Sequence, residues 1–172
     1  GDGVDDLAVG AYTDDEGGDA RGAVHIIFMN TDGSVDSTVE INSSTTNGPT
    51  LANGDLFGAS VANIGDLDGD GVNDLAVGAY GDDLVGADRG AVHIIFMNTD
   101  GSVDSTVEIN DSTTNGPTLT NGDNFGYSVA NIGDLDGDGV NDLAVGARAD
   151  DDGGANRGAV HIIFMNTDGS VD

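Results

Sequence analysis

The chain has 172 residues, of which 32 are acidic and only four are basic, giving a formal net charge of −28. Nucleic acid is excluded as a partner, because phosphate binding needs clustered lysine and arginine. The charge also disfavours an anionic membrane surface, and without a long apolar stretch we expect no membrane insertion in this segment. Such a charge repels itself in a compact fold, so bound cations are expected to relieve it.

A repeat of 68 residues organises the whole chain. Residues 21–88 and 89–156 align without a gap and differ at nine of 68 positions, mostly within 80–88. The chain therefore holds about two and a half repeats and reads as part of a longer repeat array. We expect residues 1–52 to be a partial repeat with strands two to four and the connection that follows. Residues 53–120 should form a complete repeat. Residues 121–172 should be a partial repeat with strands one to three.

Four segments of the complete repeat have strand character. Each is short, rich in apolar residues or alternating in polarity, and bounded by Gly, Asn or Asp. The third is apolar on both faces and should be buried on both, whereas the fourth alternates and should be half exposed. No segment has a helical period, so essentially no helix is expected. The predicted strands are 57–64, 75–79, 90–97 and 103–109.

These strands predict an all-β fold of four-stranded antiparallel blades of the β-propeller type. Asp100-Gly101 suits the tight turn of a hairpin between the third and fourth strands. Gly78 and Ala79 in the second strand indicate close approach of a neighbouring backbone. Because one blade cannot bury its own two faces, blades must stack on each other, either in a closed ring or in an open array.

The loop between the first two strands predicts a calcium site. Carboxylates stand at its positions 1, 3, 5 and 9, with a bend-permitting glycine at position 6 and a backbone carbonyl at position 7. Calcium prefers six to eight oxygen ligands, and carboxylates this close repel each other without a cation. An EF-hand is excluded because position 12 is valine. The predicted ligands are Asp66, Asp68, Asp70, the carbonyl of Val72 and Asp74, and then Asp134, Asp136, Asp138, the carbonyl of Val140 and Asp142.

A third copy of this loop begins the chain and is incomplete. Asp2, Val4 and Asp6 match positions 5, 7 and 9, but positions 1 and 3 would precede Gly1. We expect this partial site to bind calcium weakly or not at all. In all copies the ion would be structural, tying the first strand of a blade to the second.

Three elements in this order resemble the FG-GAP repeat of integrin α-subunit propellers. Phe57-Gly58 and Phe125-Gly126 match the "FG" element, and the Asp-rich loop matches the family's calcium loop. The "GA" element follows at Gly10-Ala11, Gly78-Ala79 and Gly146-Ala147, whereas Tyr12, Tyr80 and Arg148 replace its proline. The resemblance, closest to tandem repeats of bacterial surface proteins, implies calcium, an extracellular location and a binding or scaffold role.

Other polar residues are better interpreted as structural. The three histidines share one position of the third strand without a Ser or Cys motif, which favours packing over catalysis. Three acidic pairs after the second strand could offer a second metal site, although a solvated loop is the better interpretation. Two triplets fit the N-glycosylation pattern. The histidines are His25, His93 and His161. The acidic pairs are Asp14-Asp15, Asp82-Asp83 and Asp150-Asp151, and the triplets begin at Asn42 and Asn110.

Two functions from different classes fit these observations. The first is an extracellular, calcium-stabilised structural array, a stalk or filament in which each repeat binds its neighbours in the same or an identical chain. The second is an adhesin-like module, in which a closed propeller presents its variable loops to an extracellular protein or glycan. We do not expect an enzyme, because near-identical repeats do not bring unlike catalytic residues to one place.

Overall fold

The computed structural model describes residues 3–172, and these residues form an all-β fold. None of them belongs to a helix, so none forms a helix that could span a membrane. The strands are β1 Leu7–Ala11, β2 Ala23–Met29, β3 Val35–Ile41, β4 Phe57–Gly65, β5 Asp74–Ala79, β6 Ala91–Met97, β7 Val103–Ile109, β8 Phe125–Gly133, β9 Asp142–Ala147 and β10 Ala159–Ile163.

The described strands form three antiparallel sheets in simple up-and-down order. We call them the first blade (β1-β2-β3), the middle blade (β4-β5-β6-β7) and the third blade (β8-β9-β10). The middle blade has the four strands that the repeat predicts, and the fold is that of β-propeller-type blades. Each sheet lies within one of the three expected segments, whose limits stay a prediction.

The hydrophobic core lies between blades rather than within one. One cluster of buried side chains joins the first blade to the middle blade, and a second joins the middle blade to the third. Strand β6 contributes to both, with Ile94 packing toward the third blade and Ile95 toward the first. All seven β6 residues are buried, which confirms the prediction that this strand is covered on both faces.

The glycines of the "FG" and "GA" elements let neighbouring blades approach through their backbones. A Cβ on Gly78 would lie 1.9 Å from the carbonyl oxygen of Gly126 in the next blade, and one on Gly10 would lie 1.9 Å from the oxygen of Gly58. No side chain fits in either gap. The close approach expected from the small residues of the second strand is therefore confirmed.

Polar bonds also cross the interface between the middle and third blades. The Asn131 side chain donates a hydrogen bond to the Asn63 carbonyl at 3.2 Å, and the Asn141 side chain donates to the Ile64 carbonyl at 2.9 Å. Both bonds join the end of β4 in the middle blade to the third blade, at β8 and at the turn before β9. The two blades are therefore held in a defined register.

The hairpin between β6 and β7 turns where Asp100-Gly101 predicts. Gly101 has a φ of +80°, and its N–H donates to the Asn98 carbonyl at 3.0 Å. The Asp100 carboxylate accepts bonds from both the backbone N–H and the hydroxyl of Ser102. This local hydrogen bonding holds the pKa of Asp100 below its usual value.

Candidate metal sites in the turns between strands

An acidic turn joins the first two strands in both the middle and third blades. In the turn from β4 to β5, the carboxylates of Asp66, Asp68 and Asp70 each place an oxygen within 4.8 Å of the other two. All three side chains are exposed, and the turn bends at Gly71, whose φ is +92°. In the turn from β8 to β9, the set is Asp134, Asp136 and the buried Asp142, the equivalent of Asp74 rather than of Asp70.

Short backbone bonds position the exposed carboxylates of the first turn. Both oxygens of Asp66 accept backbone N–H groups, from Gly69 at 2.8 Å and from Gly71 at 3.0 Å. Asp68 and Asp70 each use one oxygen, Oδ1, to accept the N–H two residues further on. The turn thus concentrates exposed carboxylate oxygens.

Loss of solvation and neighbouring negative charges both act on the Asp136 carboxyl in the second turn. Loss of solvation, followed by the charges of Asp138, Asp142 and Asp134, raises the pKa of Asp136 above its usual value. A divalent cation between these groups would relieve their mutual repulsion. The donor set consists of hard oxygens, which suits calcium.

The last aspartate of each turn has a role that spacing did not predict. Asp74 is only 1% exposed, and it accepts the N–H of Leu67 at 2.8 Å through Oδ2 and the N–H of Met97 at 3.0 Å through Oδ1. Asp142 does the same with Leu135 and Met165. Each buried aspartate therefore anchors the acidic turn to the third strand, at its last residue in the middle blade and two residues beyond its end in the third blade.

The remaining predicted ligands lie around the same turns. The side chains of Val72 and Val140 pack against the two interblade cores, and Asp138 accepts the Val140 N–H at 2.8 Å. In the partial copy, Asp6 accepts the Met29 N–H at 3.0 Å, as Asp74 and Asp142 do in theirs. Asp2 lies outside the described residues. Calcium ligation by these residues stays a prediction.

Replacing Asp74 with asparagine should destabilise the chain whether or not calcium is present. The asparagine amide nitrogen would face an N–H donor, so one buried hydrogen bond is lost, at about 1–3 kcal/mol. The measurement is thermal unfolding in calcium and in chelator. As a matched control, Asp68→Asn should lower stability only in calcium, because Asp68 is exposed and its one bond lies within the turn. A purely calcium-dependent loss in Asp74→Asn would contradict the anchoring role.

His93 packs in the core, as predicted, but solvation does not explain every acidic loop residue. His93 is buried against Phe57, with ring centroids 5.4 Å apart and an edge-on geometry. The expectation of a solvated loop is wrong for Asp82 and Asp150, which are 3% and 4% exposed. The expectation of a solvated loop is correct for Asp83, which is exposed.

Burial also counts against glycosylation of the two candidate asparagines. Asn42 and Asn110 are 7% and 4% exposed. Their amide nitrogens donate to the carboxylates of Glu40 and Glu108, two residues earlier in the chain. A glycan needs that nitrogen free at the surface, so the match to the glycosylation pattern does not mark an accessible acceptor at either asparagine.

Tandem β-propeller-type blades with an acidic turn between their first two strands define the class of this protein. The model of the FG-GAP repeat matches residues 57–95 and 125–163, so these two segments are FG-GAP repeats. Both matches span the first three strands of a blade and the acidic turn. This confirms the family resemblance seen in the sequence, whereas the likeness to bacterial surface proteins stays an expectation.

Animal integrin α subunits are similar to the chain. Integrin alpha-6 of Gallus gallus is 35% identical over 150 residues, which is 87% of this chain and 12% of the relative. Integrin alpha-5 of Xenopus laevis is 43% identical over 96 residues, which is 53% of this chain and 8% of the relative. Integrin alpha-PS5 of Drosophila melanogaster is 38% identical over 97 residues, which is 56% of this chain and 9% of the relative. The chain thus spans about a tenth of the length of these curated relatives.

Proposed function

We propose that the chain is part of an extracellular, calcium-stabilised structural array, built by stacking blades face to face. The partners of each blade are then its neighbours in the same or an identical chain. The observation that carries this proposal is the apolar surface on the two outer blades, at positions that are buried in the middle blade.

On the first blade, the exposed residues correspond to ones that the middle blade buries. Leu7 is 50% exposed and Val9 is 43% exposed, whereas their equivalents Leu75 and Val77 are 7% and 0% exposed. In the middle blade, these positions pack against the first blade. The first blade therefore presents the surface that would receive a preceding blade.

The opposite face of the third blade shows the same contrast. Val160 is 68% exposed and Ile162 is 44% exposed, whereas their equivalents Val92 and Ile94 are fully buried against the third blade. Contiguous apolar surface of this kind marks an interaction site. Because the two outer faces are complementary rather than identical, they support head-to-tail stacking, which extends unless its rotation closes a ring.

The oxygen ligands of the acidic turns favour calcium as the bound cation. The aspartates supply carboxylate oxygens, and each turn connects the first two strands of a blade. An ion there would offset part of the net charge of −28 and hold the two strands together. Sites of this affinity class, at ~10⁻⁴ to 10⁻³ M, are typical of extracellular modules.

A structural role without catalysis is supported by the repeats themselves. His93 and His161 each pack edge-on against a phenylalanine of their own blade, at 5.4 Å between ring centroids in both. Near-identical repeats place the same residue types at equivalent positions of each blade, which does not favour a site assembled from unlike catalytic groups. The similarity to integrin α subunits supports an extracellular location.

The array is tested by imaging and sedimenting the chain in calcium. We expect linear particles whose length increases with protein concentration. Val160→Asp should stop their growth, because it places a charge in the middle of the outer apolar face. Ser37→Asp is a matched control: it adds the same charge at an exposed position of β3 and should leave growth unchanged.

Closed particles of fixed size would overturn the open array and favour the adhesin-like module. One observation supports that alternative. The variable position Arg148 lies over the rings of Tyr80 and Tyr127, 5.4 and 4.7 Å from their centroids, and Tyr127 is 44% exposed. An exposed aromatic and cationic surface suits a protein or glycan ligand. Loss of ligand binding on exchanging the variable loop at 80–88 would then identify the module.

A further inference from the structure

A second group of metal-binding side chains lies on the middle blade, away from the acidic turns. Asp82 comes from the loop after β5, His93 from β6 and Glu108 from β7. Each offers one ligand atom within 4.8 Å of the other two. His93 and Glu108 are directly opposite in the β6-β7 register, so the sheet itself holds two of the three groups together.

The imidazole of His93 has a buried nitrogen without a protein partner. His93 is 1% exposed, and its Nε2 makes no hydrogen bond within residues 3–172. Burial lowers the pKa of His93 to about 4, so the ring is neutral at neutral pH and offers a lone pair. A buried polar atom left unpaired is costly and rare in folded proteins, so this nitrogen calls for a ligand.

Each carboxylate of the group keeps one oxygen outside its local hydrogen bond. Asp82 Oδ1 accepts the Leu84 N–H at 2.9 Å, and Glu108 Oε1 accepts the Asn110 side-chain amide. Their second oxygens, Oδ2 and Oε2, take no part in these bonds. Burial raises the pKa of both Asp82 and Glu108, because their charged forms lose solvation.

The other blades show how these free oxygens face the imidazole. In the third blade, Asp150 Oδ2 lies 3.6 Å from His161 Nε2. In the first blade, Glu40 Oε2 lies 4.0 Å from His25 Nδ1. In each of these two blades the oxygen outside the local hydrogen bond is the one nearest the imidazole, with the aspartate at Nε2 and the glutamate at Nδ1.

A further buried carboxylate increases the negative charge around the group in the middle blade. Asp55 is 2% exposed, and its Oδ1 has no hydrogen-bond partner among the described residues. The equivalent Asp123 is satisfied by the hydroxyl of Thr120, which is alanine at position 52. Burial first, then the charges of Asp82, Asp83 and Glu108, raise the pKa of Asp55 to about 6.

We propose that Asp82, His93 and Glu108 bind a divalent transition metal of the zinc type. One imidazole nitrogen and two carboxylate oxygens are ligands that Zn²⁺ accepts, at about 2.0–2.2 Å. Its two positive charges balance the two carboxylates, and it supplies the partner that His93 Nε2 lacks. The three ligand atoms lie within 4.8 Å of one another, so an ion would need only side-chain rotations to draw them into its coordination shell. Calcium selects the oxygen-only turns, so the two ions occupy different sites.

The test is a titration of the calcium-saturated chain with Zn²⁺, followed by NMR of the imidazole nitrogens. The chain has three histidines, one in each blade, so His25→Gln and His161→Gln assign their signals. We expect the ring nitrogens of His93 to shift with the first equivalent of zinc. Calorimetry of His93→Gln should show binding weaker on the order of 100-fold.

The controls separate this site from the acidic turns and from unfolding. Asp68→Asn should retain the zinc response of His93 while weakening calcium binding. Glu108→Gln keeps the size and hydrogen-bonding shape of the side chain, so it tests the ligand set if His93→Gln does not fold. Zinc binding that leaves the His93 signals unmoved, or that is unchanged in both variants, would overturn the proposal. Neither result depends on whether the blades form an array or a ring.

Discussion

Gly78→Ala is expected to weaken the contact between the middle and third blades and to lower the stability of the chain. The new Cβ would lie 1.9 Å from the Gly126 carbonyl oxygen and 2.6 Å from the Ser60 hydroxyl. The first of these is backbone, so the blades must move apart. Overpacking of this kind costs about 3 kcal/mol, which lowers the melting temperature by about 6–12 °C for a chain of this size. Circular dichroism during heating measures this decrease in melting temperature.

The same substitution in the third blade is a matched control. The three atoms nearest to a Cβ on Gly146 all belong to Ser128, and the closest, at 2.4 Å, is a hydroxyl that can rotate away. Gly146→Ala should therefore cost much less than Gly78→Ala. Equal losses would show that the effect arises within a blade, and would contradict the interblade explanation.

Removal of calcium is expected to lower the melting temperature by about 10–20 °C. At calcium 100-fold above its Kd, a site that exists only in the folded state adds about 2.7 kcal/mol. Two distant sites contribute nearly additively, giving about 5 kcal/mol for the turns of the middle and third blades. A thermal melt in 10 mM calcium (about 100-fold above a Kd of ~10⁻⁴ M) and in chelator measures the difference.

Substitutions in the turns show where the calcium acts. Asp68→Asn and Asp136→Asn together should remove most of the difference between calcium and chelator, because each takes a charge from one of the two carboxylate clusters. In chelator the double variant should be as stable as the parent or slightly more so, since repulsion between carboxylates is reduced. Identical melting of the parent chain in calcium and chelator would rule out calcium as a structural ion.

Strand positions could be predicted because the pattern of the repeat is strong. The run at 57–64 became β4, Phe57–Gly65, and the run at 103–109 became β7 with the same limits. Alternation and turn residues determine such elements locally. The doubly buried third strand could be predicted as well, because seven consecutive residues without a charge leave no face for solvent.

The structural roles of individual carboxylates could not be predicted from spacing. Asp74 belongs to the acidic turn by sequence, yet it also bonds the backbone of Met97, 23 residues away. Asp82 looks like part of a solvated loop, but the loop folds over β6 and β7 and buries it. Such burial depends on how a loop returns to the sheet, which local composition does not encode.

The Asn131 side chain bonds the carbonyl of Asn63, the same position one repeat earlier in the chain, at 3.2 Å. This bond depends on the 68-residue period itself, because it joins equivalent positions of successive blades. An insertion inside a repeat must therefore loop out of its blade to keep the bond, whereas insertion of a whole repeat leaves the spacing of equivalent positions intact.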